Sequence, residues 1–361
     1  MKRILITACG GPSSLSFSRS LRDADPRRTK YHLVGSDCDQ FNIHRAECDK
    51  TYLCPKANDP AFIPYIKELI KKESIDLIHT QPEIEAYMIG RHREEVLDTG
   101  CRIFMPPQEV IELLRDKGRS YHLWKNAGIK VPENIELNSE ADLRKAFDRF
   151  GEDIWIRETI GAAGKGALSR PSYEMALHQL NEANSWGHAV AAEHLTTETV
   201  TWQSIWHKGE LIVAQGRKRL YWAFGNRAQS GVTGLTGTGV TYSDVGLDNL
   251  AKQCVKAAAD KPHGIFSVDF TYDKQGMPNP TEINIGKFFT THHFITRAGC
   301  NMPDIFVQLA FGEYKGSYGV LNPCPEEMYW IRGIDVEPVL LLKSEIDNKV
   351  DELKEILSNI S

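Results

Sequence analysis

The first hundred residues alternate short apolar runs with amphipathic stretches, and no other feature restricts the fold as strongly. RILITA, YHLVGSD, IDLIHTQ and RIFMP read as strands, while SSLSFSRSLRDA, PAFIPYIKELIKKES and EAYMIGRHREEVLDTG read as helices. Strands separated by helices lie parallel, with the helices crossing over the faces of the sheet. This predicts an α/β domain with a parallel sheet over residues 1–115. PQEVIELLRDKGRSYHLWKNAGIKVPE then reads as two helices ended by Gly128, with Pro132 returning the chain to extended structure.

A smaller α+β unit is expected over residues 116–195: the strand EDIWIRE, the glycine-rich GAAGKGALSR, a helix over SYEMALHQLNEANSW and the strand HAVAAEHL. From 196 to 330 the pattern turns to hairpins. TVTWQSIWHKGELIVAQGRKRLYW is rich in β-branched and aromatic residues around a Lys208-Gly209 turn, and IFSVDFTYD pairs with TEINI across KQGMPNP. Between them AFGNRAQSGVTGLTGTGVTYS is dense in Gly, Ser and Thr, so Gly225 to Thr241 reads as a long mobile loop. Residues 331–361 form an extension with a charged amphipathic helix over SEIDNKVDELKEILSNI.

The net charge of -5 provides no basic surplus for a nucleic-acid backbone, which argues against that class of partner. MKRILITACGG is too short in apolar residues for a signal peptide, and no run approaches bilayer length, so neither a membrane partner nor export is expected and the location is expected to be cytoplasmic. The eight cysteines include no C-x-x-C pair and read as reduced, mostly buried thiols, Cys9 among them.

Asp269, Glu282 and Asn284 form the most specific constellation. Residues two apart on a strand face one side, so Glu282 and Asn284 converge, and the partner strand can bring Asp269 beside them. One or two carboxylates with a further oxygen ligand suit a hard Mg²⁺ or Mn²⁺ ion that also bridges substrate phosphates. A solvated acidic face is the plain alternative, but apolar neighbours on both strands make unpaired carboxylates costly there. Arg157 and the loop Gly161, Gly164, Lys165, Gly166 supply cations and close backbone approach for phosphate oxygens. A hairpin turn explains that loop nearly as well, because no Walker A spacing is present. Glu193-His194-Leu195 ends a strand and is followed by Glu198; backbone groups there can pair with an adenine edge and a carboxylate can hold ribose hydroxyls, although read alone these are ordinary exposed acids. Arg297, after the acidic strand, can grip a substrate carboxylate, whereas His292 and His293 read as packing residues. The GGPSS turn lacks dinucleotide-binding spacing and reads as a structural turn or substrate pocket.

Taken together these segments resemble the ATP-grasp superfamily, in the group of the carbamoyl-phosphate synthase large chain, biotin carboxylase and D-alanine ligase. The likeness runs from ILITACGGPSSLSFSRSLR to AGCNMPDIFVQLAFGE. It implies a Rossmann-like leading domain, a small lid and a C-terminal α+β domain, with ATP and magnesium (or manganese) as cofactors. Lys117 in RDKG matches a phosphate-binding lysine, Arg157 a strand cation before the lid loop, and EHL the adenine hinge. Asp269, Glu282 and Asn284 match the metal ligands, and Arg217 and Arg219 resemble arginines near the transferred phosphate. The implied activity joins a small-molecule carboxylate to an amine through an acyl phosphate, with bicarbonate activation as the alternative and a homodimer left open.

Overall fold

The computed structural model describes residues 1–333 except 162, 163, 165, 229 and 233, together with 339–345, 347, 348 and 351. Lys165 and most of the expected C-terminal helix lie outside the described residues.

The first sheet contains β1 (Lys2–Thr7), β2 (Tyr31–Asp37), β3 (Lys50–Leu53), β4 (Leu77–His79) and β5 (Arg102–Ile103), all parallel in the order β3-β2-β1-β4-β5. Its helices are α1 (Pro12–Ala24), α2 (Phe62–Glu73), α3 (Glu83–Arg91) and α4 (Arg93–Leu97). The single helix expected across α3 and α4 breaks at His92, where φ -109 and ψ 28 leave the helical region. β3 escaped the sequence reading because KTYL is a partly exposed edge strand with no apolar run. Serines on α1 replace bulk with hydrogen bonds and seat the helix against the C-terminal unit. Ser16 donates to the Thr290 carbonyl at 2.9 Å, and Ser20 accepts from Thr296 at 2.8 Å.

α5 (Gln108–Arg115) and α6 (Lys117–Asn126) connect to the second sheet. Asp116 caps α6 by accepting the N–H groups of Gly118 and Arg119, and buried Trp124 donates to the Cys254 carbonyl at 3.2 Å. The second sheet contains β6 (Asn134–Leu137), β7 (Ile154–Glu158), β8 (Leu168–Ser169) and β9 (Ala189–Glu193) in the antiparallel order β6-β9-β7-β8, with α7 (Glu140–Phe150) and α8 (Tyr173–Glu182).

The third sheet has eight strands: β10 (Thr199–His207), β11 (Glu210–Arg219), β12 (Thr238–Tyr242), β13 (Gly264–Tyr272), β14 (Pro278–Ile285), β15 (Val320–Leu321), β16 (Met328–Ile331) and β17 (Val339–Leu342). Helices α9 (Val245–Ala258), α10 (His293–Arg297) and α11 (Met302–Ala310) accompany it. The Lys208-Gly209 turn has φ 52 and 97, the paired positive values that a two-residue hairpin needs. The expected long loop is shorter than its composition implied, because Thr238–Tyr242 is a strand between β11 and β16. Gly239 fits there because its Cα lies against the Arg217 side chain, and an added Cβ would come within 3.1 Å of Arg217 Cδ. No helix among the described residues is long and apolar enough to cross a membrane.

Candidate active site

The β13–β14 register pairs Asp269 with Glu282 and Ser267 with Asn284, so the three expected ligands share one face. Asn284 Nδ2 donates to Asp269 at 3.0 Å and to Glu282 at 3.4 Å. Burial raises the Asp269 carboxyl above its ordinary value, and the neighbouring Glu282 adds to the rise. Burial acts the same way on Glu282, but Lys117, Arg157 and Lys287 outweigh it and hold that carboxyl below its usual range. A hard divalent cation fits these residues. Two adjacent carboxylates share a partly enclosed face, and a half-turn of the Asn284 amide would present a third oxygen.

Cations line the same cleft from α6 and β11, and Arg157 of β7 acts on Glu282 from an adjoining depression. Lys117, the first residue of α6, donates to the Gly161 carbonyl at 2.6 Å and stands 3.6 Å from Glu282. Arg157 on β7 donates to the Thr281 carbonyl of β14 at 2.9 Å, so the second sheet touches the acidic hairpin directly. Arg217 is fully buried on β11. It donates to the hydroxyls of Thr236 at 2.6 Å, Thr291 at 3.2 Å and Thr201 at 2.6 Å, with the Phe289 ring 4.7 Å away. Arg219 lies 3.4 Å over the Trp222 ring and donates to Thr236 and Thr199. Burial lowers the Arg219 pKa to about 10, which leaves it charged at neutral pH.

Gly161 lines this cleft. Gly164 has φ 70, and an added Cβ would sit 2.8 Å from the Val232 carbonyl oxygen, so the glycine loop and the Gly225–Thr241 segment touch. Gly166 has φ 74, and its carbonyl accepts from Gln179 at 2.7 Å.

Other expected residues lie elsewhere. Glu193 and Leu195 line a separate depression with Asp273, Lys274 and Gln275, and the Glu193 side chain accepts the Glu133 N–H at 3.0 Å. Glu198 pairs with Lys218 outside the cleft lining. Arg297 is exposed at the end of α10 and does not line the cleft. The buried side of α10 packs on α1, where His293 meets Asp23 at 2.8 Å, and this turns Arg297 outward. His292 is buried against Gln203 at 2.8 Å, a packing role like that of His293. Burial, with Cys48 and Asp37 nearby, pushes the Cys9 thiol far above its ordinary value, the state of an inert core cysteine.

The cleft also contains residues that the sequence reading missed. Lys287 follows Asn284 by three positions beyond the Gly286 turn, and that spacing was its only signal. Arg115, Glu83, Thr201 and Thr236 carried no signal, because only folding brings these elements together, whereas Ser13 belongs to the GGPSS turn read as a structural turn or substrate pocket.

With its parallel-sheet unit, four-stranded antiparallel sheet and large sheet bearing the acidic hairpin, this chain has the ATP-grasp fold. Residues 4–104 match the family described as PylC-like, N-terminal domain. The biotin carboxylase domain of 2-oxoglutarate carboxylase from Hydrogenobacter thermophilus, in complex with MgADP, ADP and bicarbonate, is similar. Its TM-score is 0.69 at 16% identity over 91% of this chain and 73% of that one. The N5-carboxyaminoimidazole synthetase of Staphylococcus aureus complexed with ADP gives a TM-score of 0.68 at 17% identity, covering 98% and 86% of the two chains. The L-amino acid ligase of Bacillus licheniformis gives 0.67 at 13% identity, covering 91% and 79%. No curated protein sequence matches this one.

Proposed function

We propose that the protein is an ATP- and magnesium-dependent ligase that joins a carboxylate to an amine, releasing ADP and phosphate. The observation that carries this reading is the convergence of Lys117 and Lys287 on Glu282, beside Asp269 and Asn284, in one cleft that Gly161 lines, with Arg157 acting on Glu282 from an adjoining depression. Cations facing a carboxylate pair suit a triphosphate that brings its own divalent ion. The resemblance to structures crystallised with adenine nucleotides supports the same reading.

The bound metal would neutralise phosphate charge during transfer. Asp269, Glu282 and Asn284 would hold it, Lys117 and Arg157 would orient the phosphates, and Arg217 and Arg219 would meet negative charge on the moving phosphoryl group. A carboxylate oxygen attacks the terminal phosphorus as the bond to ADP breaks. The amine nitrogen then attacks the acyl carbon, phosphate leaves with the carbon–oxygen bond, and the ammonium proton passes to solvent. Lys165 is assigned a phosphate contact on its sequence position between Gly164 and Gly166. Glu193, Leu195 and Glu198 are assigned to adenine and ribose as the lid closes on the hairpin.

The test is an ADP-release screen with MgATP that crosses small carboxylates and amino acids with amine acceptors, with labelled bicarbonate as a parallel arm. ADP formed only with a carboxylate and an amine supports ligation. Label captured from bicarbonate would move the assignment to carboxylation, and failure to bind or turn over MgATP would remove it.

A further inference from the structure

The register of the third sheet sets Thr201 of β10 opposite Arg217 on one side and Asp269 on the other, and Asp269 opposite Glu282 of β14. Residues directly opposite on antiparallel strands point to one face, so Arg217, Thr201, Asp269 and Glu282 form a single row across four strands. The sequence neighbours of Thr201 and Asp269, which are Val200, Trp202, Val268 and Phe270, point the other way into the core. All four members of the polar row line the cleft.

Within the row the hydrogen bonds run in one direction. Arg217 Nη2 donates to Thr201 Oγ1 at 2.6 Å, and Thr201 Oγ1 donates to Asp269 Oδ1 at 2.5 Å. A hydroxyl has one proton, and because the guanidinium can only donate, that proton goes to the carboxylate. Thr201 is 2% exposed and Arg217 1%, so water competes little for either bond. The remaining bonds of Arg217 reach the hydroxyls of Thr236 and Thr291, and no carboxylate among the described residues pairs with it directly.

A hydroxyl between the two charges suits a metal ligand. A guanidinium set directly against Asp269 would take both carboxylate oxygens in its fork and compete with a divalent ion for their lone pairs. Through Thr201 the charge is brought near while Oδ1 gives up a single acceptor position. Oδ2 accepts from Asn284 Nδ2 at 3.0 Å, a bond that would be lost when the Asn284 amide turns its oxygen toward the metal. Thr201 is then the side chain left bonded to the Asp269 carboxylate among the described residues. Its branched Cβ restricts χ1, which keeps the hydroxyl pointing one way. The backbone ladder already joins β10 to β13, so tying those strands together needs neither the hydroxyl nor the buried charge behind it.

We propose that Thr201 is a positioning residue for the metal that accompanies the nucleotide: backed by Arg217, its hydroxyl fixes the Asp269 carboxylate in the orientation that the ion requires. This inference rests on the ligase reading. It gives Thr201 no contact with substrate, and it gives Arg217 an effect on the ion that passes through Thr201. Loss of such a partner from a ligating carboxylate costs about 10- to 100-fold in metal affinity.

Calorimetric titration of the full chain with ADP, once at saturating Mg²⁺ and once in EDTA, tests this, with thermal melts of the ligand-free proteins beside it. Thr201→Val keeps the shape and removes the hydroxyl. It should weaken MgADP binding by about tenfold or more while the affinity for ADP in EDTA stays that of the wild type. Thr201→Ser retains the hydroxyl and should bind MgADP as the wild type does. Thr201→Cys, whose thiol is a weak donor, should fall between the two, and it carries the test if the valine variant does not fold. A lower melting temperature in Thr201→Val with MgADP affinity intact would make Thr201 a structural strut and overturn the inference. So would an equal loss in Thr201→Ser, or a loss of equal size in EDTA. Wild-type protein that binds ADP under neither condition would remove the ligase reading and this inference with it, whereas wild-type MgADP binding that the variants match would remove this inference alone.

Discussion

Lys117 Nζ lies 3.6 Å from the carboxylate of Glu282 and donates to the Gly161 carbonyl at 2.6 Å, so one side chain joins the connector helix, the glycine loop and the acidic hairpin. Its charge opposes the burial that would otherwise raise the Glu282 carboxyl. Lys117→Met should therefore loosen nucleotide binding and metal retention together. A rise of about tenfold or more in the KM for ATP is expected, since a phosphate contact present in the ground state is lost. Steady-state kinetics at saturating magnesium checks this, and an unchanged KM and kcat would remove Lys117 from the site.

Glu282→Gln should abolish most ADP formation, by about 10²-fold or more, because the transferred charge loses part of its neutralisation. Stability should behave differently. Lys117, Arg157 and Lys287 hold the ionised Glu282 below its usual range, so this charge stabilises the fold and its removal should lower the melting temperature modestly, partly offset by relief of the neighbouring Asp269. Thermal melts beside turnover assays separate the effects, and a large fall in melting temperature would show a structural role instead.

The contact between Gly164 and Val232 couples two segments that composition alone treats as independent. Hydrogen exchange should show residues 161–166 and 231–239 gaining protection together when MgATP is added. Gly164→Ala should weaken that joint response, because φ 70 disfavours a side chain and the new Cβ would meet the Val232 carbonyl at 2.8 Å. Protection of one segment alone would show that the contact does not transmit.

Asp273 shapes the turn before β14, accepting from Gln275 at 3.0 Å, Met277 at 2.9 Å and Asn279 at 3.3 Å, and pairing with Lys130 at 2.5 Å. Burial pushes its carboxyl up, but these donors outweigh it and lower the pKa to about 2. The unfolded chain has the higher value, so the stabilisation is present above about pH 4 and is lost as the pH falls toward 2. Asp273→Asn should lower the melting temperature at pH 7 and have little effect near pH 2. Equal losses at both pH values would contradict the sign.

Local chemistry made much of this protein legible. The parallel sheet followed from apolar period and helix spacing, and the Lys208-Gly209 hairpin from its turn residues. The convergence of Asp269, Glu282 and Asn284 followed from strand alternation, because each property is set within a few residues of chain. Edge strands such as β3 lacked the apolar runs that mark buried ones. β12 was hidden by glycine and threonine because what makes it a strand is its pairing with β11 and β16, which only the fold brings alongside it.

Tertiary structure alone decided which charged residues share the cleft. Arg297 has the chemistry of a carboxylate clamp, yet α10 packs its other face on α1 and turns that guanidinium to solvent. Glu83 and Arg115 carry no local signal, yet the packing of α3 and α5 places them in the site beside Ser13 and Lys287. The alternation that put Leu5, Val34 and Ile78 in the core also put Thr7, Ser36 and Thr80 on the same face. Only the lateral register of three strands made those hydroxyls neighbours, and only α3 placed the Glu85 carboxyl over them. Sequence sets the side-chain period along each strand, whereas lateral pairing and helix docking are long-range events decided by burial of the whole core.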